Sequence, residues 1–170
     1  MALLLAAKHN RVEIVELLLS RSDSFDIGDT QKIQKIDINL QDKDGRTALM
    51  YASREAYIEI VELLLSRPEI DVNLKAKYGS TALMIASCNG YKEIVKLLLS
   101  RPEIDINLQN KDGETALTDA SYYEHLEIVE LLLSRSEIDV NLQNKDGQTA
   151  LTIVSFYGNE EIVSLLENHK

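Results

Sequence analysis

Tryptophan is absent from this sequence, proline occurs twice and cysteine once. A lone thiol, Cys88, allows no intrachain disulfide, so nothing in the chain demands an oxidising compartment. Positive charge is in deficit. Eighteen Lys and Arg against 28 Asp and Glu leave a net charge of −10, which argues against general affinity for nucleic acid or an anionic membrane surface. Binding to phosphate needs clustered Lys and Arg. The acidic balance mainly reports solubility and lends weak support to a basic partner. No apolar run approaches the about 20 residues of a membrane span. The opening MALLLAAKHN is apolar for seven residues without a basic leader, so it reads as helix and not as a signal peptide. An Asn-x-Ser/Thr sequon is also missing, and a cytoplasmic protein is the expectation.

What the chain has instead is leucine, isoleucine and a fixed period. Residues 104–137, IDINLQNKDGETALTDASYYEHLEIVELLLSRSE, lie on 70–103 when moved back by 34, on 36–69 when moved back twice, and on 138–170 when moved forward. Gly-x-Thr-Ala-Leu recurs at 45–49, 79–83, 113–117 and 147–151. A period of this size signals a stacked array in which each unit buries its face on its neighbours. Residues 1–20 form a truncated first unit, matched to the next with an offset of 46, one period plus 12. The extra residues fall within 21–35, where Ser, Asp, Gly and Thr mark a loop, either a tolerated surface insertion or a contact arm carrying Phe25. Leu3, Leu4 and Leu5 fit a fragment of a longer array, because a terminal unit should turn a polar face to water.

Each full unit has the same expected grammar. The Asp-Gly pair marks a tight turn, with Gly113 free to take positive φ. Thr47, Thr81, Thr115 and Thr149 sit where helix N-caps belong. A first helix is predicted over about 115–123 and a second over 126–134. Glu127, Glu130 and Ser134 form one solvent stripe on the second helix, with Ile128, Val129, Leu131, Leu132 and Leu133 buried around it. A helix of about nine residues is not stable alone and must be sandwiched. Pro68 and Pro102 are predicted to stop it, and Glu167 in place of a leucine marks 138–170 as a C-terminal cap. The expected fold is an all-α solenoid of about five units, 1–20, 36–69, 70–103, 104–137 and 138–170, each a β-hairpin or loop plus two short antiparallel helices.

Gly-x-Thr-Ala-Leu, the Glu-Ile-Val-x-Leu-Leu-Leu helix and the closing Ile-Asp-Val-Asn resemble ankyrin repeats over nearly the whole chain except the insertion. The tetratricopeptide repeat, the rival at this period, has a Trp/Leu-Gly/Tyr pattern that is missing and no place for an Asp-Gly hairpin. Thr-Ala-Leu-Met and Thr-Ala-Leu-Thr replace the family's Thr-Pro-Leu-His, so its proline and its histidine hydrogen bond are expected to be lost. The extra residue of the 34-residue period falls in Ser-Arg-Pro-Glu.

Chemistry is hard to place on this pattern. His9, His125 and His169 fall in three different units, which implies no metal site, and Cys88 is expected to be a surface thiol without a histidine near it. Asn110 to Gly113 imitates the middle of a calcium loop, but Leu108 stands at the first ligand position. No catalytic residue, metal or cofactor is expected. The resemblance implies instead a protein partner gripped by hairpin tips and the exposed edge of the first helices, on the concave side. Positions that differ between units are the candidates: Arg54 and Glu55, Cys88 and Asn89, Tyr122 and Tyr123, Phe156 and Tyr157 on the first helices, with Arg46, Glu114, Lys77 and Tyr78 at the hairpins. Asp119 joins them, an acid where Tyr51, Ile85 and Ile153 stand elsewhere. The four rings should meet in one aromatic patch, which suits an interface hot spot. A monomer acting as a protein-interaction module is the leading expectation. The alternatives are a structural spacer within a longer array and a secreted, host-directed effector. The resemblance also makes Asn39, Asn73, Asn107 and Asn141 candidate substrates of an asparaginyl hydroxylase.

Overall fold

Thr47, Thr81, Thr115 and Thr149 each hold extended backbone just before a helix. Each hydroxyl accepts a hydrogen bond from the amide three residues on, at 3.1–3.3 Å, satisfying one of the orphan donors of the first turn. These caps recur through a computed structural model that describes residues 1–23 and 36–169, apart from the side chains of 21–23. Its helices are α1 (Ala2–Lys8), α2 (Val12–Asp23), α3 (Ala48–Arg54), α4 (Ile58–Leu65), α5 (Ala82–Cys88), α6 (Lys92–Leu99), α7 (Ala116–Tyr122), α8 (Leu126–Leu133), α9 (Ala150–Tyr157) and α10 (Glu160–Asn168). Odd-numbered helices stack on one another as one layer, even-numbered helices as a second. The result is an all-helical repeat solenoid.

The core is a column of aliphatic side chains between the layers. Ile60, Ile94, Ile128 and Ile162, with Leu64, Leu98 and Leu132, are essentially removed from water. Ala52, Ala86 and Ala120 are fully buried where adjacent first helices approach, since a larger side chain would hold them apart. On the second helices only Ile128, Val129 and Leu132 of the predicted α8 set are buried; Leu131 and Leu133 are half-buried. Glu59, Glu62, Glu127 and Glu130 line the exposed outer side. At the N-terminal end Leu3 and Leu4 are buried, but Leu5, Ile14 and Leu17 are exposed. At the other end Glu167 is exposed.

Three local expectations are corrected. The helix-start bond is not lost throughout: the Thr118 and Thr152 hydroxyls accept from the Thr115 and Thr149 amides at 2.7 and 2.8 Å, standing in for histidine, while Met84 offers only its sulfur at 3.5 Å. Proline is not what stops the second helix, because α8 ends at the same register as α4 and α6 with Ser136 in proline's place. In all three the serine just beyond the helix folds its hydroxyl onto the carbonyl three residues back, at 2.6–2.7 Å. Finally, α2 runs to Asp23, three residues into the segment read as inserted. Residues 24–35, Phe25 among them, lie outside the described residues.

The turns before the first helices are tight loops without regular strand among the described residues. Each is closed by two backbone bonds, as in Asn110 N–H to the Glu114 carbonyl and Gly113 N–H to the Asn110 carbonyl. Successive turns are then stitched together: the amides of Lys77, Lys111 and Lys145 donate to the carbonyls of Asp44, Tyr78 and Asp112 at 2.8–2.9 Å. Asparagine forms a second seam. Asn107 donates to the Glu137 carbonyl at 2.7 Å and accepts from the Asp139 amide at 2.9 Å, and Asn39 and Asn73 repeat the pattern. Arginine of the Ser-Arg-x-Glu segment forms a third. Arg135 reaches the Leu99 carbonyl at 3.0 Å, at the C-terminal end of α6, and is held in place by Glu137 at 2.7 Å; Arg101 does the same with Leu65 and Glu103. The additional residue of the period thus belongs to a segment that ties neighbouring units together.

Candidate protein-interaction groove

The first helices and the turn tips enclose one side of the solenoid. Their variable positions follow Ser53, Ser87, Ser121 and Ser155, so the 34-residue period sets them side by side in space. Between them runs a groove of about 690 Å³. Met84, Ile85, Thr118 and Ile153 are among its lining residues, together with the predicted Arg54, Cys88, Asn89, Glu114, Asp119, Tyr122, Tyr123, Phe156 and Tyr157. A second hollow of about 260 Å³ shares Arg54, Ser80 and Ile85 with the first and adds Arg46, Lys77 and Tyr78. Glu55 lines neither; its carboxylate is taken by Arg54 at 2.7 Å. Met84, Ile85 and Ile153 were missed as lining residues because apolar side chains on a packed helix read as core. The signal available was their place one turn before the variable pair.

The four rings come together. Tyr122 meets Tyr123 edge-on at 4.9 Å and, across the boundary between units, Tyr157 at 5.3 Å; Phe156 meets Tyr157 at 5.3 Å. Tyr123 stacks on His125 at 6.3 Å. Edge-to-face packing suits the ring quadrupoles and holds the cluster in one arrangement. Even so, Tyr122, Tyr123 and Tyr157 remain about half exposed and Phe156 is 81% exposed. Such a ridge of exposed rings is the material of an interface.

Asp119 stands in the wall beside this ridge. Among the described residues no hydrogen bond or ion pair reaches its carboxylate. Burial and then the nearby charge of Glu114 push its carboxyl up to about 7. The folded protein therefore keeps a proton that the unfolded chain releases between about pH 4 and 7, so this group's contribution to stability falls as pH rises through that window. Cys88 is a free thiol half-buried in the groove wall, and burial followed by the charge of Asp119 pushes the thiol up, away from the reactive thiolate. A histidine does lie near it, contrary to expectation: His125 Nε2 is 3.1 Å from the Cys88 carbonyl oxygen, so the contact is structural and spares the sulfur. Gly90 makes room for that ring, which a β-carbon would meet at 2.7 Å.

The N-terminal hollow is organised differently. The Tyr51 hydroxyl donates to Asp42 at 2.6 Å, and Lys8 and Arg54 lie over its ring at 5.6 and 5.7 Å. Tyr78 is 69% exposed with Lys77 above it. The Asn89 amide is turned back onto the Ile85 carbonyl at 2.7 Å, and Asn110 uses its side-chain oxygen for the Asp112 and Glu114 amides in place of a cation. Among the described residues no group of His, Cys, Asp or Glu is placed to hold a metal ion, and no helix is long and apolar enough to cross a membrane.

Turn, paired helices and cross-unit seams repeat together along the chain, and a protein-family model for ankyrin repeats (3 copies) matches residues 3–110, 69–144 and 102–170. This chain is an ankyrin-repeat protein. No individual curated protein matches it. Ankyrin repeats in general mediate protein–protein interaction and are typically non-catalytic.

Proposed function

We propose that this ankyrin array is a non-catalytic, monomeric, cytoplasmic module that grips a protein partner in the groove between its first helices and turn tips. The aromatic ridge of Tyr122, Tyr123, Phe156 and Tyr157 carries the reading, since it offers large contact area at small rotamer cost where neighbouring units leave it uncovered. Arg46, Arg54, Lys77, Tyr78, Glu114 and Asp119 extend the contact around it, with Cys88 in the wall and Glu55 and Asn89 at the margin. A pure spacer would have no use for rings gathered on two adjacent units, nor for an acid at 119 where the other units have Tyr or Ile.

The test is affinity capture from lysate of the source organism with wild type and a Tyr122→Ala/Tyr123→Ala/Tyr157→Ala variant at matched thermal stability. A protein retained by wild type and lost by the variant is the expected result. Equal retention by both would place the contact elsewhere, on the outer glutamates or the 21–35 segment.

A further inference from the structure

We propose that the C-terminal half of the groove seats an arginine side chain from an extended segment of the partner, with its guanidinium over the Tyr122 and Tyr123 rings and against the Asp119 carboxylate. This rests on the groove reading above and names the chemistry it selects. Among the described residues the acids lining this half are Glu114, Asp119 and Asp146, and the one cation, Arg54, is occupied by Glu55 at 2.7 Å. Glu114 is held in place by the Asn110 amide at 2.8 Å, but the Asp119 carboxylate has no partner among the described residues. That carboxylate lines the groove and is free to take a donor from a ligand. Beside it stand the half-exposed rings of Tyr122 and Tyr123, whose π-systems attract a cation.

The sign of the lining reverses along the groove. The hollow at the other end carries Arg46 and Lys77, beside the Glu55-paired Arg54, against Asp44, so a cation is directed to the Asp119 end and away from the N-terminal one. Arginine fits better than lysine, because its planar fork stacks on rings while donating two bonds to one carboxylate. The compact, strongly hydrated ammonium of lysine does neither as well. Burial and Glu114 favour the neutral acid at Asp119 when nothing is bound, and a guanidinium would favour the charged form.

The probe is N-acetyl-arginine amide, titrated at pH 8 into the isotopically labelled chain and followed by amide chemical shifts, with N-acetyl-lysine amide and neutral N-acetyl-citrulline amide beside it. Saturable shifts centred on Asp119 to Tyr123 are expected with arginine, several-fold weaker binding with lysine, and none with citrulline. Asp119→Asn, which keeps shape and removes no hydrogen bond, should melt no lower than wild type and bind arginine at least about tenfold more weakly. Citrulline shifts equal to those of arginine, unchanged binding by Asp119→Asn, or no saturable shift with any probe would overturn the proposal; equal binding of lysine would overturn the choice of arginine. Partner capture that survives Asp119→Asn but not the tyrosine variant would sink the arginine site and leave the groove standing. Capture that survives both would sink the groove itself.

Discussion

Residues 104–137 and 138–170 share nearly the same turn sequence, yet they are held differently. Their local geometry agrees. Gly113 and Gly147 take φ of 80° and 73°, both turns close with an Asn N–H bond of 2.9 Å to the carbonyl four residues on, and both threonines cap the following helix. What differs lies between units. Asn107 accepts from the Asp139 amide of the next unit at 2.9 Å and Gln109 donates to its Gln143 carbonyl at 2.9 Å, while Asn141 and Gln143 have no such contact among the described residues. Thr118 is buried and Thr152 exposed. Each unit thus folds its turn and caps by itself, and stacking adds a separable set of interface terms, as expected of a chain whose contacts are nearest-neighbour. Paired substitutions at equivalent positions can measure the two contributions separately.

The largest difference is expected at the turn glycines. An alanine at either Gly113 or Gly147 meets the same positive φ, a penalty of about 1 kcal/mol. At Gly113 the new β-carbon would also lie 2.8 Å from the Asn144 Cα, which is backbone and can move only with the neighbouring turn; at Gly147 nothing lies within 4 Å. Gly113→Ala should therefore lose about 2–4 kcal/mol in urea unfolding and Gly147→Ala only about 1 kcal/mol. Equal losses would show that conformation alone sets the requirement for glycine and that the stitched turns contribute nothing.

Next come the asparagines. Truncation at Asn107 strips the Glu137 carbonyl at the end of its own unit, and the Asp139 amide across the boundary, of their side-chain partner. Both groups stand partly in water, so Asn107→Ala should lose about 1–2 kcal/mol, and Asn141→Ala should stay within about 0.5 kcal/mol of wild type. Matching losses at both positions would assign the role of asparagine to its own turn instead of the seam.

The same division explains what could be read from the sequence. The 34-residue period, the threonine caps and the turn glycine are local, and each repeats four times, so they were legible. The first-helix candidates were legible for the same reason: positions 54, 88, 122 and 156 recur at one period and therefore neighbour one another. Features that need a partner a unit away were not. Nothing in Ser-Arg-Ser-Glu announces that Arg135 reaches back to Leu99, 36 residues earlier, nor that His125 lies beside the backbone of Cys88, 37 residues earlier. Asp119 could be flagged as an oddity by comparing units, but its missing partner and the push of Glu114 appear only when the turn is folded against the helix. Glu55 shows the opposite failure, a variable position that turns to its own neighbour and not into the groove.

The smallest effect isolates conformation with no interface at all. The turn between the two helices of every unit places one residue in the left-handed region: Asn10, Ala56, Gly90, Glu124 and Gly158. Glu124 holds φ of 58° and Gly158 φ of 81°, with open space around the latter. Here the last unit is the better adapted of the pair, because glutamate pays the β-carbon penalty that glycine escapes. Part of that relief is returned through the greater freedom of glycine in the unfolded chain. Glu124→Gly should accordingly gain about 0.5 kcal/mol, and Gly158→Ala should lose about 1 kcal/mol, both read as urea midpoints at unchanged slope. A loss of stability in Glu124→Gly would mean that this residue makes its contribution across the boundary, and the line drawn between local grammar and stacking would have to be moved.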